Sequence, residues 1–274
     1  PLSRQSRRIS SARCPRLAPP DRQRSTLAAD LVTIAFAGTA RWCFGSLRSG
    51  SFSRYRSMVI ANLFDFAILA LPGGFSYGDD LGAGRLWANE IRHQLKGIRQ
   101  FVRSGRPVLG ICNGFQVLVK AGLLPFTPSG EQVASFAFND SNKFETRWVR
   151  LRINIQSQSL FARNLPEIIE LPIAHAEGKF LVKSPKVLET LKKNRSILMQ
   201  YVNEEGKFSG FPYNPNGSLF NIAAITNPDG NCLGMMPHPE RYITRYHHPH
   251  WTRQAFVKEG IGLEIFRNAI KYVN

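Results

Sequence analysis

The sequence predicts an α/β fold: a mixed, mostly parallel sheet with helices on both faces and an antiparallel extension. Three observations predict it. Between residues 58 and 122, short apolar runs alternate with a helical stripe, as in strand–helix–strand–helix units. From about residue 146 onward, the apolar segments alternate with period two or sit either side of a tight turn. No run of about 18 apolar residues occurs, so a membrane span is excluded by this reading.

The elements follow in chain order. "PLSRQSRRISSARCPRLAPPDRQRS" is rich in Arg, Ser and Pro and has no period, so residues 1–57 are an atypical segment expected to be disordered in part. Within it, "LVTIAFAGT" (31–39) reads as a possible first strand, and the stretch after it has no clear pattern. An Arg-rich, Ser-rich, acid-poor opening fits an organellar transit peptide, and it equally fits a mis-assigned start or reading frame. Residues 58–274 are expected to form one domain. "FDFAILALPGG" is a strand ending in Pro72-Gly73-Gly74, a turn that lets backbone N–H groups face a site. Trp87, Ile91, Leu95, Ile98 and Val102 then form one stripe of a single amphipathic helix, stopped at Gly105. "RPVLGI" is the next strand and "FQVLVKAG" a short helix. "TRWVRLRINI" alternates, and "NIAAITNPDGNCLGMM" is two strands joined at Asn227-Pro228-Asp229-Gly230. A helical run over "RQAFVKEGIGLEIFRNAIKYV" closes the chain.

The chain has 274 residues and a formal net charge of +17. That charge divides unevenly: residues 1–57 carry 11 arginines, no lysine and two acids. The excess in the remainder is scattered and no basic-aromatic motif accompanies it, so nucleic acid is not an expected partner. Cys14, Cys43, Cys112 and Cys232 stand far apart without a CxxC pair, which argues against disulfides and zinc and for a cytoplasmic setting.

"GICNGFQ" (110–116) has the G-x-nucleophile-x-G form of a nucleophile elbow between a strand and a helix. There Cys112 would stand above the sheet, with the helix N-terminus favouring a thiolate and offering N–H groups to an oxyanion. A buried strand-end cysteine is the plain alternative. A thiol nucleophile needs a base and an orienter, and His238 and Glu240 in "MMPHPER" supply both. His247, His248 and His250 have metal-like spacing, but no acid or cysteine lies near them in sequence, and they are expected in an exposed loop. No metal site is expected.

Together "LPGGFSYGDD", "GRPVLGICNGFQVL", "SNKFETRWV", "LPIAHAEGKF" and "NPNGSLFNIAAITNPDGNCLGMMPHPER" resemble the glutamine amidotransferase subunits of phosphoribosylformylglycinamidine synthases. The elbow Cys with a downstream His-x-Glu is shared by class I glutamine amidotransferases generally. The resemblance covers about residues 58–274, and the N-terminal α/β unit matches the family only at "VTIAFAGTA". It implies the class I amidotransferase (flavodoxin-like) fold and a glutaminase. By this resemblance Cys112 attacks glutamine, His238 relays the proton and Glu240 orients it. Gly74 and Asn113 would give the oxyanion-hole N–H groups, while Gly73 and Gln116 help hold glutamine. His175, Glu177 and Arg147 resemble family segments behind the site. No cofactor is implied in this chain, with ATP and Mg expected in a synthetase subunit that receives the ammonia to make formylglycinamidine ribonucleotide. A small accessory subunit is a further implied partner. Two other readings stand beside this one: a related cysteine hydrolase of the same fold, and a non-catalytic or misfolded chain whose N-terminal unit is aberrant.

Overall fold

Strands with no exposed face must be covered on both sides, and three here meet that condition: all residues of β4 (Val108–Ile111), β10 (Ile222–Thr226) and β11 (Cys232–Met235) are buried. They form the middle of a nine-stranded sheet in the computed structural model, which describes residues 31–37, 41–45, 63–79, 81–95, 97–126, 128–253 and 258–274. The Arg/Ser-rich opening and the stretch 46–62 lie outside the described residues, so the expectation of partial disorder there falls outside them too.

The remaining strands are β1 (Leu31–Ala37), β2 (Arg41–Gly45), β3 (Ile68–Leu71), β5 (Ala134–Ala137), β6 (Glu145–Ile153), β7 (Ile168–His175), β8 (Lys179–Val182) and β9 (Ile197–Val202). The helices are α1 (Arg85–Gln94), α2 (Ile98–Arg103), α3 (Asn113–Lys120), α4 (Pro185–Lys193) and α5 (Gly262–Val273). The main sheet runs β2-β1-β3-β4-β11-β10-β9-β6-β7. The pairs β1–β3, β3–β4 and β4–β11 are parallel. The pairs β1–β2, β11–β10, β10–β9, β9–β6 and β6–β7 are antiparallel, so the antiparallel part is larger than a mere extension. β2 is a strand in a stretch where the sequence has no legible pattern.

Along β7 every second residue is buried, the one-sided alternation of a sheet end. β7 nonetheless reaches back to the middle of the sheet. Its Pro172 carbonyl accepts a hydrogen bond from the His238 N–H at 2.8 Å, and its Ala174 carbonyl lies 3.6 Å from Cys112 Sγ. The sheet therefore curls until its last strand meets the carboxyl ends of β4 and β11. β5 and β8 form a separate antiparallel pair. It packs on α3 through Phe115, Phe136 and Phe180, whose ring centroids lie 4.9 to 6.1 Å apart.

The single helix predicted over 85–105 is two. The stripe residues Trp87, Ile91, Leu95, Ile98 and Val102 are all buried as expected. The chain breaks between α1 and α2 at Gly97, which has φ +87°. A straight helix of that length would carry one stripe past the sheet; the break turns α2 so that Ile98, Phe101 and Val102 stay inside. The closing helix is also shorter than predicted and begins at Gly262. Close packing sets that start: a Cβ on Gly262 would lie 2.0 Å from the Pro239 carbonyl oxygen.

Candidate active site

Cys112 joins β4 to α3, with φ +49° and ψ −105°. A non-glycine residue held in such a backbone stores on the order of 1–3 kcal/mol, which the surroundings must sustain. They do so by contact. A Cβ on Gly114 would lie 1.9 Å from the Leu71 carbonyl oxygen, and one on Gly110 would lie 2.5 Å from the Leu118 side chain. The flanking glycines are thus needed for close approach, and the unusual turn is borne by the cysteine itself. The Cys112 N–H is tied to the Met235 carbonyl at 2.7 Å, and its own carbonyl accepts from the Gln116 N–H at 3.1 Å.

Burial pushes the Cys112 thiol up to about 12, although the Asn113 N–H at the head of α3 pulls the other way. The expected helix-stabilised thiolate is therefore not the resting state. The neutral thiol donates to the Ala174 carbonyl at 3.6 Å. Deprotonation needs a base.

His238 is buried and its Nδ1 lies 2.6 Å from Glu240 Oε1. A carboxylate there makes Nδ1 the protonated nitrogen, leaving a lone pair on Nε2. That Nε2 is buried and has no hydrogen-bond partner. Gly73 lies between His238 and Cys112: a Cβ on it would meet His238 Cε1 at 2.9 Å and Cys112 Cβ at 3.3 Å. The three sequence-predicted residues are thus brought together around a glycine. Gly74 follows, exposed, at φ +129°, with open space around its Cα.

The other predicted residues lie behind this group. Asn113 is buried, and its side chain donates to Gln116 Oε1 at 3.2 Å and to Asp79 Oδ1 at 3.4 Å. Gln116 donates to the Glu177 carbonyl at 2.6 Å. Both ends of its amide are engaged inside the protein, each with one bonding position left over. His175 is buried, with Nδ1 3.2 Å from Asn139 Oδ1. Asn139 Nδ2 donates to two carbonyls, so its oxygen is the acceptor and His175 also carries its proton on Nδ1. Burial, with His238 nearby, lowers the His175 pKa to about 4, so it is neutral near pH 7. Arg147 pairs with Glu145 and its guanidinium lies 5.2 Å from the Phe211 ring centroid. No contact among the described residues joins Arg147 to Cys112 or His238.

His248 departs from the expected exposed loop. It is buried, 3.1 Å from Glu170 Oε2, edge-on to Trp148 and tilted against Tyr242, while His247 and His250 are exposed. Among the described residues no group of three or more His, Cys, Asp or Glu side chains could hold a metal ion. No helix among them is long and apolar enough to cross a membrane.

Sequence reasoning missed Asp79, Lys120 and the Ala174 carbonyl. Lys120 had a usable signal, a lone cation ending the apolar helix "FQVLV". Asp79 lay within a quoted motif without a role, and a backbone acceptor leaves no mark in a sequence.

An elbow cysteine on a curled α/β sheet, facing a His-x-Glu pair across a glycine, is the arrangement a thiol nucleophile with a base and an orienter requires. The chain belongs to the CobB/CobQ-like glutamine amidotransferase domain family, whose profile matches residues 29–273. Within it, the chain is 44% identical over 214 residues to the phosphoribosylformylglycinamidine synthase subunit PurQ of Dehalococcoides mccartyi, covering 77% of this chain and 82% of that one. The PurQ subunit of Archaeoglobus fulgidus is 40% identical over 224 residues, covering 77% and 80%. A solved structure of PurLQS from Thermotoga maritima superposes with a TM-score of 0.58 at 28% identity, covering 78% of this chain and 84% of that one.

Proposed function

We propose that the chain is the glutaminase subunit of a phosphoribosylformylglycinamidine synthase, releasing ammonia from glutamine for a synthetase subunit. The observation that carries this reading is the wedge of Gly73 between Cys112 and a His238 whose buried Nε2 is unpartnered. The relatives named above are PurQ subunits of phosphoribosylformylglycinamidine synthases, which supports this reading.

The sequence of steps follows from the groups present. His238 Nε2 takes the Sγ proton, and the sulfur attacks the side-chain carbonyl carbon of glutamine. The carbonyl oxygen gains charge, which the Gly74 and Asn113 N–H groups stabilise. The C–N bond breaks and His238 returns the proton to the departing nitrogen as ammonia. A glutamyl thioester remains; water adds to it with His238 as base, and Sγ leaves with the proton, giving glutamate. Glu240 holds the Nδ1–H tautomer and stabilises the imidazolium formed on the way. Gly73 shapes the pocket, and Gln116 offers glutamine its spare amide positions. His175, as a neutral ring, adds no positive charge beside His238. Arg147 sits further out, on the rim with Phe211. ATP and Mg belong to the synthetase, and a small accessory subunit completes the assembly. A cytoplasmic location and the boundary at residues 57/58 are parts of the same proposal.

The test is turnover of the assembled enzyme with glutamine and with ammonium salt. Cys112→Ala and His238→Ala should each abolish glutamine-dependent turnover and keep ammonia-dependent turnover. Retained glutamine turnover in Cys112→Ala would overturn the mechanism.

A further inference from the structure

The loop from Gly73 to Gly84 carries the Gly74 N–H, and its far end is fastened in an unusual way. Ala83 is held by both faces of its backbone. Its N–H donates to the Glu177 carboxylate, 3.3 Å from each oxygen, and its carbonyl accepts from Lys120 Nζ at 2.5 Å. Glu177 follows β7 and Lys120 ends α3, so two elements grip one residue of a third. A Cβ on the adjacent Gly82 would lie 3.9 Å from both the carboxylate and the ammonium. The two charges therefore meet across the backbone rather than head to head. Beside them, Asp79 accepts from the Gly84 N–H at 3.3 Å and from the Asn113 side chain at 3.4 Å. Gln116 ties α3 to the Glu177 carbonyl at 2.6 Å.

At the loop's near end, Gly73 is wedged against His238 and Cys112. Between the two anchors Phe75 is 66% exposed and stacks on Phe144, while Ser76 is buried and Ser76–Asp79 form a short 3-10 turn. Asp79 ends that turn and accepts from the Gly84 N–H beside Ala83, so a shift of the rear anchor reaches Gly74 through the turn.

We propose that Lys120 and Glu177 are positioning residues for glutamine hydrolysis, setting the oxyanion N–H of Gly74 by clamping the Ala83 peptide from both sides. This rests on the reading of Gly74 as an oxyanion donor. Burial lowers the Lys120 pKa, Glu177 and Asp79 raise it and Arg85 lowers it, so the ammonium works in a partly desolvated place where its hydrogen bond is strong. The clamp has a polarity. An N–H requires an acceptor and a carbonyl requires a donor, so the two side chains are not exchangeable.

That polarity supplies the experiment. In the assembled enzyme, Glu177→Leu and Lys120→Met should each lower kcat for glutamine by about 10- to 100-fold, the scale of a misplaced oxyanion donor. KM should change little, because the lost interaction is made in the transition state. Glu177→Gln, which keeps an acceptor for Ala83, should retain most of the rate. The exchanged pair Lys120→Glu with Glu177→Lys should be no better than either single variant. Ammonia-dependent turnover should be unchanged throughout, reporting intact folding and assembly. Rescue by the exchanged pair would show an ordinary ion pair and overturn the proposal, as would a loss in Glu177→Gln equal to that in Glu177→Leu. A rise in KM at constant kcat would overturn it too. If the clamp variants behave normally while Cys112→Ala is inactive, the clamp fails and the glutaminase reading stands.

Discussion

A methyl group on Gly73 would lie 2.9 Å from His238 Cε1, closer than side-chain carbons approach one another. His238 cannot retreat freely, since its ring is buried and held by Glu240 at 2.6 Å. Gly73→Ala should therefore lower glutamine kcat by about 100-fold, the effect of displacing a reacting group by roughly an ångström. Thermal unfolding should move little, because the contact is local. Gly74→Ala should fail for another reason: nothing crowds its Cα, but φ +129° is closed to residues with a side chain. His175 gives a pH prediction. Its folded pKa, about 4, lies below the ordinary histidine value. The unfolded chain therefore takes up a proton first, and stability is full above about pH 6.5 and falls as pH drops towards 4. Urea unfolding across that range should show the loss, and His175→Gln should flatten it. A slope unchanged in His175→Gln would assign the acid sensitivity to other groups. At this scale the grouping of Cys112, His238 and Glu240 was legible because a thiol nucleophile calls for a base and an orienter, and the chain offers that set of side chains. Asp79 and Lys120 were not, because they act on backbone groups, which every sequence has.

Elements were legible where one physical signal dominated. The turn at Asn227–Gly230 joins β10 to β11 as its residue types predict, and the Gly230 N–H closes it on the Asn227 carbonyl at 3.0 Å. β9 and α4 passed without notice, although "SPKVLETLKK" has proline in its first helical turn and lysines in its last. The stripe over α1 and α2 misled because burial repeats at helical spacing even when the chain bends between the two halves. Gly97 separates the two accounts experimentally. Inside a continuous helix, Gly97→Ala would stabilise by about 1 kcal/mol. At φ +87°, with Phe64 3.3 Å from the new methyl group, it should instead destabilise by about that amount. Chemical denaturation of the two proteins reads the sign directly.

For the whole molecule, the parallel half of the sheet presents Cys112 and the antiparallel half curls back to meet it. That division was only half visible in the sequence. Strand identities follow from local pattern, whereas the meeting of β7 with Cys112 and His238 depends on sheet twist accumulated over many strands. The exposed Phe75, next to Gly74, has a consequence for coupling. A glutaminase that runs without a consumer for its ammonia wastes glutamine, so the isolated chain should hydrolyse glutamine slowly. Adding the synthetase with its nucleotide and substrate should raise the rate by ordering the loop that holds these two residues. Equal rates with and without the synthetase would refute this.

β7 is the last strand of the sheet, and such a border is where one protein chain can recruit another into a growing aggregate. Here the border is interrupted at its carboxyl end. Pro172 has no N–H to offer, its carbonyl is taken by the His238 backbone, and the Ala174 carbonyl is taken by the Cys112 thiol. The contacts that tie β7 to His238 and Cys112 thus also shorten the stretch on which a neighbouring molecule could add a strand.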